Sequence, residues 1–140
     1  YAAAGPYSAM LKVTDNSGLT STRSVPISVV PAVVVLPMHV ADIAMSMVLS
    51  GGRNARATAA VKVVGSDGQL VPGATVSGTW SGIVAGSSSV VTGSNGVASL
   101  QSPSTKKSSG SFVFTVKGVT LSGYSYDYGS NVESADAIAR

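Results

Sequence analysis

Apolar side chains recur at every second position of this chain, in short bursts separated by Gly, Asn, Asp, Pro and Ser. In the first burst they fall at Tyr7, Ala9, Leu11 and Val13, with Ser8, Met10 and Lys12 between them. A repeat of two is that of a β-strand with one buried face, whereas a helix repeats every 3.6 residues. The stretch "DNSG" at 15–18 supplies turn chemistry, and Val25, Ile27 and Val29 resume the alternation. Residues 1–30 therefore predict two strands joined by a tight turn. A two-stranded hairpin is marginal in water because nothing covers its apolar face. This one is expected to belong to something larger.

The same alternation continues beyond "PAVVVLP" at 31–37, where Pro31 and Pro37 bracket a connector. Proline fixes φ and removes a ladder donor, so strands tend to stop there. Ala41, Ile43, Met45, Met47 and Leu49 form the next run, followed by Ala57, Ala59, Val61 and Val63, and then by Ala74, Val76, Gly78 and Trp80. Val90-Val91 and Ala98 with Leu100 flank the hairpin turn "TGSNG". Phe112, Phe114 and Val116, then Val119 and Leu121, precede Tyr124, Tyr126 and Tyr128. Seven short strands with regularly spaced turns predict an antiparallel β-sandwich over 38–130. Residues 131–140 read as a C-terminal tail, in which "VESADAIAR" has the composition of a turn or two of helix.

Composition narrows the classes. Hydrophobic residues make up 44% of the 140, enough for a core, and only 11% are charged. The nine basic residues are scattered, with Lys106-Lys107 the longest run, which does not match the concentrated basic face of a nucleic-acid binder. Without cysteine there is neither a disulfide nor a thiolate metal site. The most apolar run, Pro31 to Leu36, is far shorter than the ~20 residues of a membrane span. No basic segment followed by an apolar stretch marks a signal peptide.

Two resemblances rest on particular stretches. Tyr1, Ala4-Gly5, Tyr7, Leu11, "VTDNSGLTST" at 13–22 and the closing "VPISV" resemble the C-terminal third of a PKD domain, a module common in secreted bacterial hydrolases. The earlier strands of that family and its Trp-Asp-Phe-Gly-Asp-Gly motif do not occur in the 140 residues. Residues 38–128 resemble bacterial immunoglobulin-like modules appended to secreted hydrolases and adhesins. That likeness is carried by "MHVADI" (38–43), "VPGATVSGTWSG" (71–82), "GSNGVASL" (93–100) and "FVFTVKGVT" (112–120). In "PGATVSGTWSG", Thr75, Ser77 and Thr79 are expected to face water. Val76 and Trp80 are expected to face inward, with Gly78 leaving room beside the indole. Several members of that family carry a cysteine pair where Val90 and Ala98 stand here, so this chain departs from them by apolar packing. Together the resemblances imply an all-β, immunoglobulin-like sandwich preceded by a hairpin remnant of a PKD-like sandwich. They further imply a secreted or cell-surface, non-catalytic accessory module whose partners are neighbouring domains of the same polypeptide.

Residues that carry chemistry are few. His39 is the only histidine, and with Asp42 it makes neither a zinc site, which needs three or four ligands, nor an oriented dyad. The pair reads instead as polar residues at the start of a strand. Asp127, Glu133 and Asp136 lie close in sequence and are candidate oxygen ligands for Ca²⁺, which takes about six to eight. Turn capping and solvation account for the same carboxylates. Tyr124, Tyr126 and Tyr128 in "GYSYDYG" would project from one face of a strand at intervals of about 7 Å. An aromatic row of this kind, if exposed, stacks on sugar rings and makes polysaccharide an alternative ligand. Because Ser125 and Asp127 take the opposite side and prefer water, the alternation places the tyrosines inward, completing the core near Trp80.

Overall fold

A computed structural model describes residues 3–32, 34–51 and 53–140. The chain divides into two compact units, Tyr1–Val34 and Val35–Arg140. Among the described residues no helix is long and apolar enough to cross a membrane.

The first unit is one long antiparallel hairpin, β1 (Gly5–Thr14) and β2 (Thr20–Val29), in continuous register from Gly5↔Val29 to Thr14↔Thr20. Its turn is built by Asp15, whose Oδ1 accepts from the Ser17 and Leu19 amides (both 2.9 Å) and from the Ser17 hydroxyl (2.8 Å). Gly18 takes a φ of 85°, which few side chains tolerate. Residues directly opposite in an antiparallel ladder share a face. One face of the hairpin thus collects Tyr7, Ala9, Leu11 and Val13 with Val25, Ile27 and Val29. Within this unit that face stays largely bare, with Leu11 65% and Val13 56% exposed.

The second unit is a β-sandwich of immunoglobulin-like kind. One sheet has the order β7-β4-β3-β9, made of β3 (Leu36–Ser50), β4 (Asn54–Gly65), β7 (Val97–Gln101) and β9 (Tyr124–Tyr126). The other has the order β10-β8-β5-β6, made of β5 (Thr75–Gly82), β6 (Gly86–Val91), β8 (Ser111–Thr120) and β10 (Ala135–Ala139). All pairings in the unit are antiparallel except β3 with β9, which is parallel. Ala55, Ala57 and Ala59 of β4 share the buried core with Trp80, Phe112 and Phe114 from the other sheet. Small side chains on one layer leave the volume that large rings fill on the other.

Trp80 is a core residue, 2% exposed, as the alternation predicts. Its ring packs on Phe114 at 4.9 Å between centroids, and its Nε1 donates to Ser88 Oγ (3.1 Å). Gly78 makes room on this side of the core. A Cβ at Gly78 would meet the Phe114 ring and the Thr115 carbonyl oxygen, so the missing side chain makes room for Phe114, the ring that packs on the indole.

Two bulges reset the inward phase. Register shifts at Ala41 in β3 and at Lys117 in β8. Met38 and Val40 are therefore buried before the first bulge and Ile43 after it, while Ala41 is only half-buried. Phe112, Phe114 and Val116 are likewise buried before the second bulge and Val119 after it. One extra residue on a strand has this effect because the side-chain period is two.

The end of the chain is also not a tail. Ala135–Ala139 pairs along β8 from Ala135↔Thr115 to Ala139↔Ser111. The Arg140 guanidinium donates to the Arg53 carbonyl (2.7 Å) and to those of Thr105 and Lys107. Helical propensity in "ADAIA" amounts to tenths of a kcal/mol per residue, and the open ladder of β8 outweighs it. The connector expected over 31–37 is shortened in the same way, because β3 already begins at Leu36.

Candidate functional site

After β8, the turn Leu121–Tyr124 closes through the Tyr124 amide to the Leu121 carbonyl (3.1 Å), with Gly123 at a φ of 80°. The turn delivers Tyr124 and Tyr126 onto the edge of β3, where they pair with Leu36 and Met38. The strand stops there. Asp127 caps a 3-10 turn over Tyr128–Ser130, its carboxylate accepting from the Gly129 amide (3.1 Å) and the Ser130 hydroxyl (2.7 Å). Tyr128 consequently leaves the row and stands 56% exposed, with its ring edge-on to Tyr126 at 6.1 Å.

The three-tyrosine row expected from the alternation is therefore a row of two, and it is not fully inward. Tyr124 and Tyr126 are half-buried, packed against the core on one side. On the other they line an open groove of about 500 Å³ together with Thr75, Thr120 and Ser122. Burial pushes the Tyr126 phenol above its ordinary pKa; the Asn131 hydrogen bond opposes this and Tyr128 adds to it.

Asn131 is the hub of the following segment. Its Nδ2 donates to Tyr126 Oη (2.7 Å) and to Ser134 Oγ (3.0 Å), while its Oδ1 accepts from the Val40 amide (2.9 Å). Glu133 Oε2 accepts from the Ile43 amide (2.9 Å). These two side chains satisfy β3 on either side of its bulge, where β9 no longer reaches.

The carboxylates singled out for calcium are not brought together. Asp127 serves its own 3-10 turn, Glu133 serves β3, and Asp136 lies in β10 with Oδ1 accepting from the Ala137 amide (2.7 Å). Among the described residues no group of three or more His, Cys, Asp or Glu side chains is placed to hold a metal ion. The Ser130 hydroxyl bond is the main reason the Asp127 carboxyl is held below the usual range, with His39 a minor contributor. His39 lies opposite Val64 and Asp42 opposite Lys62, with the bulged Ala41 between them.

Sequence reasoning missed the hydroxyl rim of the groove, since Ser and Thr are too common in this chain to stand out. It also missed Asn131. The stretch "DYGS" does carry a signal for the capped turn, an Asp followed three residues later by a hydroxyl. The chain matches no protein-family model, no curated protein and no solved structure.

Proposed function

We propose that this chain is a non-catalytic accessory module of a secreted, multidomain bacterial protein, a hydrolase or an adhesin, that spaces, orients or anchors its neighbours. The observation that carries this reading is the hairpin β1–β2, which holds ten residue pairs in register yet leaves an apolar face uncovered within its own unit. A face of that kind is stable only when another β-layer packs on it. The sandwich of Val35–Arg140, by contrast, closes its own core. A self-sufficient sandwich joined to a hairpin that needs a neighbour suits a link in a chain of modules. The likeness of "VTDNSGLTST" to PKD domains and of "PGATVSGTWSG" to bacterial immunoglobulin-like modules supports the secreted, modular setting.

Hydrogen exchange tests the reading. In the 140-residue chain alone, amides from Tyr7 to Val13 should exchange orders of magnitude faster than those of β4. In the parent polypeptide they should be protected. Equal protection of the two segments in the isolated chain would refute it.

A further inference from the structure

We propose that the groove beside β9 is a binding site for a short segment of neutral polysaccharide, with Tyr124 and Tyr126 as its floor and Thr75, Thr120 and Ser122 as its rim. This goes beyond a spacing role and does not depend on it. Two residues along one strand place the tyrosines about 7 Å apart on a common side. Each ring is backed by the core, so neither needs to be ordered when a ligand arrives. Tyr126 is held most firmly, its hydroxyl fixed by Asn131.

The lining selects the ligand class. Every residue facing the groove is uncharged, which gives no purchase to a phosphate, a carboxylate or a cation. Its volume, about 500 Å³, falls within the ordinary range for small-ligand clefts. Pyranose rings combine an apolar C–H face with an equatorial belt of hydroxyls. Aromatic faces match the first, and the Thr75, Thr120 and Ser122 hydroxyls match the second as both donors and acceptors. Tyr128 lies outside the lining, so this site differs from a flat row of three tyrosines.

The test is an NMR titration of the 140-residue chain with cellohexaose, xylohexaose and chitohexaose at millimolar concentration, with hexagalacturonate as a charged comparison. At least one neutral hexamer should shift amides of 119–126 and leave those of β7 unmoved. Ser122→Arg plugs the groove from an exposed turn position and should weaken binding about tenfold or more at unchanged thermal midpoint. Tyr124→Ala should weaken binding to a similar degree, at a lower thermal midpoint because its ring packs on the core, and Tyr128→Ala should leave affinity within about twofold. No shift with any neutral hexamer, equal binding of hexagalacturonate, or full affinity in Ser122→Arg would each overturn the proposal.

Discussion

Gly78→Ala isolates the packing between the two largest features of the core. Gly78 is buried on β5, and a Cβ there would overlap the Phe114 ring, standing 2.7 Å from its Cε2 and 2.7 Å from the Thr115 carbonyl oxygen. Carbon atoms pack at about 3.5–4.0 Å, and the ring's Cζ would stand closer still than its Cε2, so the ring must retreat by more than an ångström. It has little room to do so, because Phe114 is fully buried and lies against Trp80. Overpacking of this kind costs about 3 kcal/mol. At about 4 °C per kcal/mol for a unit of this size, the thermal midpoint should fall by about 12 °C. Urea unfolding followed by fluorescence of Trp80, the single tryptophan, reads the change directly. Phe114→Leu alone should cost about 2 kcal/mol. The double variant should be more stable than the sum of the two by about 1 kcal/mol, since the smaller side chain relieves the ring contact but not the one with Thr115. A Gly78→Ala midpoint equal to that of the parent chain, or strict additivity in the double variant, would refute the argument.

Thr92 is 4% exposed, and its hydroxyl accepts from the Ala74 amide (2.9 Å) and donates to the Val71 carbonyl (2.7 Å). Thr92→Val strands both backbone groups and should cost about 2–4 kcal/mol in chemical denaturation. Truncation after Ser134 removes β10 and uncovers the ladder of β8; circular dichroism should show loss of the cooperative transition or a midpoint lower by about 10 °C or more. The Asp127 carboxyl, depressed in the folded state, contributes stability that is complete above the ordinary aspartate range and lost as pH falls through its lowered value. Carboxyl NMR titration should show that low midpoint, and Ser130→Ala should raise it toward the ordinary one.

Much of the strand pattern was readable because turns and alternation are local. Asp15, Asn16, Ser17 and Gly18 set the first hairpin without help from any distant residue. The second bulge also left a trace, since apolar positions jump from Val116 to Val119 in "FVFTVKGVT". The first left none. Ala41 fits either face of a strand, so nothing in "MHVADIAM" reveals where the extra residue lies. The ring that Gly78 makes room for was hidden for a different reason: Phe114 is 36 positions away, and only the pairing of β5 with β8 brings them together. The candidate groove lay between these extremes. Its tyrosines stood out, but the departure of Tyr128 depended on a cap at Asp127, and the rim came from β5, the end of β8 and the turn after it.

The parallel pairing of β9 with the start of β3 has a mechanical consequence. Leu36 to Met38 are held by β9 on one edge, and from Met38 onward β4 holds the other. Tension directed along β3 from its first residue would load those hydrogen bonds in shear, all together, and none could yield until many did. The hairpin ahead of it is the opposite case. Gly5 and Val29, its two ends, face each other across one rung, so a pull that separates them opens the ladder one rung at a time. A single chain thus joins a soft, extensible segment to a stiff anchorage. Under load the first would lengthen and absorb the pull before the second felt enough force to break.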